Sequence, residues 1–183
     1  MTAIKIKAKK KKGSWYEKYL PFIARGRERQ IDWLIGKFKK KILSYEEITP
    51  YVKLLLEEDD PEGEQHLREL LSDLPDGVLG EMLRAADIYD TPKLLQLMPR
   101  ITVDHAAIAM CKTPPPYERS PVMVIDRIFQ IIHEVSGDLL RKGAARLRER
   151  KEIPAHFEES ISRFEEVLKD QEFLSTLYPK ARN

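Results

Sequence analysis

The sequence predicts an all-α protein, and three observations support that prediction. Helix start signals recur along the chain, whereas strand signals are nearly absent, since only AIKIKAK (3–9) alternates as a strand would. Apolar residues recur at helical spacing. We therefore expect an irregular multi-helix bundle that ends in a long antiparallel helical hairpin.

Start signals and prolines place the individual helices. The signals are a capping box of Ser44 with Glu47, a capping residue before proline at Asp60-Pro61, Thr91-Pro92 and Ser120-Pro121, and further starts at Pro75-Asp76 and Thr102. The predicted helices span 14–20, 21–43, 45–58, 61–74, 77–89, 92–98, 103–112, 121–152 and 155–177.

A proline-rich stretch divides the chain. Consecutive prolines in CKTPPPYERSP (111–121) cannot continue a helix, so this stretch is the one clear linker. The predicted organisation is a basic flexible arm (1–13), a bundle of short helices (14–112), the proline-rich linker (113–120), a long helical hairpin (121–177) and a tail (178–183).

The C-terminal hairpin is predicted from apolar residues at coiled-coil spacing. The first helix contributes Ile125, Ile128, Ile132, Val135 and Leu139, and the second contributes Phe157, Ile161, Phe164 and Leu168. Pro154 is expected to make the corner between them. Past Leu140 the apolar residues thin out into RKGAARLRERK (141–151), which predicts a basic tip that is either solvated or docked.

Composition limits the classes of function. A chain of 183 residues is long enough to bury a core of its own. The single Cys111 excludes an intrachain disulfide and fits a reducing compartment, so we expect a cytoplasmic location. No apolar run approaches the ~18 residues that span a membrane, and the start lacks the apolar segment of a secretory signal. We expect no membrane partner.

The net charge of +2 hides a strong asymmetry along the chain. Residues 1–43 carry 14 lysines and arginines against three acids, residues 44–104 carry five against 15, and residues 105–183 carry 13 against 12. Such a chain either folds its basic start onto its own acidic middle or presents the two blocks to different partners.

The helix expected from residue 21 has a core-facing side and a basic side. The core-facing stripe, at i, i+3, i+4 spacing, contains Ile31, Leu34, Ile35, Phe38 and Ile42. The other side gathers cations around an aromatic residue, with Phe22 nearby. Its members are Arg25, Arg29, Trp33, Lys37 and Lys40.

This basic side predicts a nucleic-acid interface. Cations neutralise phosphates, and the face of Trp33 suits stacking on an unpaired base. Lys9, Lys10, Lys11 and Lys12 would add a flexible cationic arm with non-specific attraction. No helix-turn-helix, zinc-finger or basic-zipper pattern is visible, so we expect contact with the backbone and no reading of base sequence.

Two other interpretations of the same residues stay open. The cations suit docking on an acidic protein surface, either the chain's own or a partner's. They also suit simple solvation of a surface helix, with Trp33 packed against another helix. The basic stretch 141–151 is open to the same alternatives, because Glu149 interrupts its cations.

Signals of catalysis and metal binding are weak. The chain has four histidines, His66, His105, His133 and His156. Glu62 with His66 and Glu152 with His156 are i, i+4 pairs, which are commoner as surface ion pairs than as metal ligands. No nucleophile is paired with a base, and Gly36-Lys37 lacks the rest of a phosphate-binding loop. We therefore predict no enzyme activity, no metal and no cofactor.

The segment PDGVLGEMLRAADIYDTPKLLQLMPRITVDHAAIAM (75–110) has a helix with paired alanines, an aromatic turn and a leucine-rich helix. The residues that carry this pattern are Leu79, Leu83, Ala85, Ala86, Tyr89, Leu94 and Leu95. The segment resembles the C-terminal helical part of BTB/POZ-type domains and the related ubiquitin-ligase adaptors, although the upstream strands of those domains are not evident in 1–74. The resemblance implies a protein–protein adaptor that assembles on a larger complex.

Two classes of function follow from the sequence. The leading prediction is a non-catalytic helical subunit of a larger assembly, which contacts RNA or single-stranded DNA through its basic arm and helix. The alternative is a protein–protein adaptor, whose basic arm meets an acidic protein surface while the acidic middle recruits a second protein.

Overall fold

The computed structural model describes residues 15–57, 60–113, 122–150 and 153–177, without the side chains of residues 15, 16, 122 and 171–177. These residues form ten helices and no strand, which confirms the all-α prediction. The helices are α1 (Trp15–Ile23), α2 (Arg27–Lys40), α3 (Tyr45–Leu56), α4 (Pro61–Ser72), α5 (Asp76–Ala85), α6 (Asp90–Leu97), α7 (Val103–Met110), α8 (Val122–Val135), α9 (Gly137–Arg150) and α10 (Phe157–Leu177).

The boundary between the first two helices lies later than the sequence suggests. A boundary at Pro21 is wrong, because α1 runs through this proline and the Ala24 N–H still donates to the Leu20 carbonyl at 2.9 Å. The chain turns at Gly26, whose backbone is extended, and α2 begins at the next residue. Arg25 therefore lies in the turn before α2 and not on the helix itself.

The end of α2 lies earlier than predicted. Lys41 has a left-handed backbone, with φ at 48°, and its N–H donates to the Lys37 carbonyl at 3.0 Å. Ile42 consequently leaves the helix and is 64% exposed, so its assignment to the core stripe is wrong. The rest of the stripe is buried or partly buried against the core, as predicted: Ile31, Leu34, Ile35 and Phe38.

Most of the predicted caps are present. Ser44 and Glu47 form the expected capping box, Asp60 accepts from the Gly63 N–H at 2.8 Å, and Thr102 caps α7. α6 begins at Asp90, two residues before the predicted start, because the Asp87 carboxylate accepts from the Tyr89 and Asp90 N–H groups. The predicted cap at Ser120 lies outside the described residues.

The helix predicted over 121–152 is divided in two. It breaks at Ser136, whose hydroxyl accepts from the Leu139 N–H at 3.4 Å, and the second part, α9, packs on α7. Val135, at the break, is 56% exposed, so its placement in the seam is wrong. The six other seam residues of α8 and α10 that are buried in the core are Ile125, Ile128, Ile132, Phe157, Ile161 and Phe164. Leu168 is partly buried, and Leu139, also partly buried, lies on α9 beyond the break.

One hydrophobic core joins the two helical parts of the described chain. It extends from Phe22 in α1 to Phe164 in α10 and includes side chains from every helix between them. α8 packs on α6, and α9 packs on α7, so the C-terminal helices cover the bundle of short helices.

α9 approaches α7 closely at Gly143. A Cβ added to Gly143 would lie 2.9 Å from the Ala106 Cβ and 2.5 Å from the Met110 Cε. We expect Gly143→Ala to lower the free energy of unfolding by about 1–3 kcal/mol through overpacking, as measured by urea denaturation.

Gly36 in α2 is the matched control for that substitution. A Cβ there would meet nothing within 4 Å. Gly36→Ala should therefore raise the free energy of unfolding by about 0.5–1 kcal/mol, because alanine is the better helix former. A stabilising effect of Gly143→Ala would contradict the close packing of α9 on α7.

Candidate nucleic-acid interface

The predicted cations of the basic side lie in a row along α2. Arg25 is exposed in the preceding turn, Arg29 is exposed in the first helical turn, and Lys37 and Lys40 lie in the last turn, half-buried and exposed respectively. A rise of about 1.5 Å per residue separates Arg29 from Lys40 by about 16 Å along the helix axis. Lys9, Lys10, Lys11 and Lys12 lie outside the described residues.

These cations have no acidic partner in the part of the chain that the structure describes. The set without an ion pair there is Arg25, Arg29, Lys37, Lys39, Lys40 and Lys41. Arg25 instead donates from Nε to the Pro21 carbonyl at 3.0 Å. Arg27 differs from the others, because its Nη1 donates to the Leu55 carbonyl at 2.6 Å and ties α2 to α3.

The second basic stretch, on α9, is neutralised. Arg146 and Arg150 both contact Asp104 of α7, at 3.3 and 2.8 Å. Arg148 donates twice to Glu158 of α10, at 2.9 and 2.7 Å, and this hydrogen bonding raises the pKa of the guanidinium. The basic tip was expected to be either solvated or docked. In the structure it is docked, because its cations pair with acids of α7 and α10.

Trp33 belongs to an aromatic cluster between α1, α2 and α3. Its ring centroid lies 4.4 Å from that of Tyr51 and 5.3 Å from that of Phe22. Tyr19 adds an edge contact to Tyr51 at 5.0 Å. Lys37 lies over the Trp33 ring, with Nζ 4.9 Å from the centroid. Trp33 is partly buried and holds Lys37 at the helix surface, while its stacking on a base stays a prediction.

A groove beside the basic row was not predicted from the sequence. It has a volume of about 540 Å³ and lies between the end of α2 and the starts of α3 and α5. Its rim includes Lys37, Lys39 and Lys41 on the α2 side. Tyr45, on the α3 side, donates from its hydroxyl to Glu81 at 2.5 Å, and this bond together with burial raises the pKa of the tyrosine.

Within the described part of the chain, the histidines do not come together in a metal site. No group of three His, Cys, Asp or Glu side chains suitable for a metal exists among the described residues. His105 is buried and structural: its Nδ1 accepts from the Thr102 N–H at 3.3 Å, and its Nε2 lies 2.8 Å from the Asp76 carbonyl. Of the two Glu–His pairs, Glu152 lies outside the described residues.

The segment that resembles BTB-type adaptors forms α5 to α7. Six of the seven residues that carry the pattern are buried in the core, and Tyr89 is 43% exposed. Lys112 closes this segment by donating from Nζ to the Arg84 and Ala86 carbonyls, at 2.9 and 2.6 Å, where α5 ends. Burial lowers the pKa of Lys112 to about 8. This amine acts as a helix cap.

Comparison of the chain with protein-family models, with curated proteins and with solved structures finds no match. None of the helices in the described ranges is both long and apolar enough to cross a membrane.

Proposed function

We propose that this chain is a non-catalytic helical subunit that binds the phosphate backbone of single-stranded nucleic acid. The binding surface is the basic row, Arg25, Arg29, Lys37 and Lys40, together with the lysines at 9–12. The observation that carries the proposal is the contrast between two basic helices. The cations of α9 are matched by acids, whereas the basic row has no acidic partner among the described residues.

Helix stability alone does not account for the basic row. Lysines in the last turn of a helix favour its negative end, and each contributes about 0.3–1 kcal/mol, which would explain Lys37 and Lys40. Arg29 lies in the first turn, where the helix dipole disfavours a cation. An exposed cation at that end suits an anionic ligand, because released counterions make phosphate contacts favourable.

A protein–protein adaptor is the second candidate. It is favoured by an apolar groove of about 750 Å³ between α6, α8 and α10, where Met123 is 83% and Val167 is 45% exposed. Exposed apolar grooves of this kind mark protein contacts. Neither candidate requires catalysis, and the cytoplasmic location stays a prediction from the single cysteine.

The test is fluorescence anisotropy of labelled single-stranded RNA and DNA, with salt varied from about 0.05 to 0.5 M. We expect binding whose logarithm falls linearly with the logarithm of salt, with a slope of about −0.7 for each phosphate neutralised. A chain lacking residues 1–13 should bind more weakly with a smaller slope. Absence of binding at the lowest salt would overturn the proposal, and affinity purification would then test the adaptor.

A further inference from the structure

The groove between α2, α3 and α5 has an apolar floor of a size that suits a small ligand. Phe38, Ile48 and Val78 contribute to its lining, one from each helix. Its volume of about 540 Å³ falls within the range of about 300–1,000 Å³ typical of ligand sites. A planar group of a few rings therefore fits, provided that it is apolar on its faces.

The rim of the groove on the α2 side is cationic. Lys37, Lys39 and Lys41 line it, and none of them forms an ion pair with a described acid. Lys41 has a left-handed backbone, a conformation that costs a non-glycine residue about 1–2 kcal/mol and that glycine usually occupies at helix ends. Because Lys41 ends the helix, its side chain lines the groove and does not continue the row of cations along α2.

Tyr45 supplies a fixed aromatic face at this groove. The side chain is 44% exposed, and its hydroxyl is held by Glu81, which is itself held by Arg84 Nη1 at 2.9 Å. A ring that is already ordered loses little conformational entropy when a ligand stacks on it. Trp33 differs, because Tyr51, Phe22 and Lys37 already surround its ring.

We propose that this groove binds an unpaired base of the nucleic-acid strand, stacked on Tyr45, while Lys37, Lys39 and Lys41 contact the phosphates on either side of that base. The inference rests on the proposed function and adds a base-binding site to it. Base stacking on an aromatic side chain is tolerant of sequence, since every base has a π-face. Glu46, on the opposite rim, repels phosphate and so favours the lysine side for the backbone.

The occupant is a single strand for two reasons. A base within a duplex is stacked on its neighbours and cannot enter a groove unless it is extruded. An apolar peptide would use the floor of the groove but would leave the three lysines without anions, whereas a nucleotide satisfies both. The apolar floor of the groove therefore matches the base of one nucleotide unit, and the cationic rim matches its phosphates.

The experiment compares a labelled single strand with the same strand carrying abasic sites, which keeps every phosphate and removes the bases. We expect the unmodified protein to bind the normal strand about 5- to 150-fold more tightly than the abasic strand. Tyr45→Ala should bind the normal strand no more tightly than the abasic strand, and its affinity for the abasic strand should match that of the unmodified protein. Lys41→Asn should weaken binding of both strands, because it removes a phosphate contact. Asparagine is chosen because it tolerates the left-handed backbone at this position.

Tyr89→Ala is the matched control, because Tyr89 is 43% exposed against 44% for Tyr45 but lies at the start of α6 and does not line the groove. It should keep the preference for the normal strand, and circular dichroism should show that all variants remain folded. Equal binding of both strands by the unmodified protein would overturn the base site and leave backbone binding in place. A preference that survives in Tyr45→Ala would also overturn it, and absence of binding to either strand would overturn the proposed function.

Discussion

Trp33→Ala should lower the free energy of unfolding by about 2–4 kcal/mol. The indole packs on Tyr51 and Phe22, so its removal leaves a cavity where α1, α2 and α3 meet. Each lost aromatic pair accounts for about 0.5–1.5 kcal/mol of that total, and the loss of buried apolar area accounts for the rest. Urea denaturation followed by circular dichroism measures the change.

Trp33→Phe is the control for this substitution, because it keeps an aromatic ring in the cluster and should lose less than half as much stability. The same variants test the prediction that Trp33 stacks on a base. If Trp33→Ala left the free energy of unfolding unchanged and abolished the preference for the normal strand over the abasic strand, the packing role would be wrong and the stacking role correct. We expect the opposite result, in which Trp33→Ala loses stability but keeps the preference for the normal strand over the abasic strand.

The parts of the fold that the sequence predicted are those with local causes. Ser44 with Glu47, Asp60 and Thr102 bond to backbone groups three residues away, so their caps depend on nothing distant. The break at Ser136 was missed, since a serine is compatible with a helix interior. Beyond the break, α9 buries Leu140 and Leu147 and packs on α7, which is a tertiary effect that the local sequence does not show.

The candidate site was predictable to a similar extent. The positions of Arg29, Lys37 and Lys40 along α2 follow from 100° of rotation per residue, whereas Arg25 lies in the turn before the helix. Packing of Trp33 against another helix was one of the alternatives left open and Phe22 was placed near it, but the sequence could not identify Tyr51 as a partner, because Tyr51 is on α3. The groove was missed for a further reason: Ile42 was expected to continue α2, whereas the left-handed Lys41 ends the helix and opens the space beside it.

The property that the sequence predicted least well was whether each cation is paired with an acid. RKGAARLRERK and the basic start both look positively charged in the sequence, but Asp104 reaches Arg146 and Arg150 across more than 40 residues. Only the folded positions of the acids distinguish a neutralised basic helix from one without acidic partners in the described chain. Two triple variants that remove the same charge, one on α2 and one on α9, test this difference.

Changing Arg29, Lys37 and Lys40 together to glutamine should lower the affinity for single-stranded nucleic acid about a hundredfold at 0.1 M salt. Each phosphate contact contributes about 0.7 to the salt slope, so the loss of three contacts should also reduce the slope by about 2. Glutamine is a good helix former, and the three residues lie on the outside of α2, so the fold should be retained. Anisotropy over the salt series measures both quantities.

The matched control is the triple change of Lys142, Arg146 and Arg150 to glutamine, which removes the same charge from α9. These cations are paired with Asp138 and Asp104, so their phosphate contacts would first require breaking an ion pair. Surface pairs of this kind contribute about 0–1 kcal/mol each to stability, so the control should fold. We expect its affinity to change by less than about threefold, because screening leaves little effect of net charge beyond the Debye length. Equal losses in both triple variants would mean that the strand responds to overall charge, and the assignment of the interface to α2 would then be wrong.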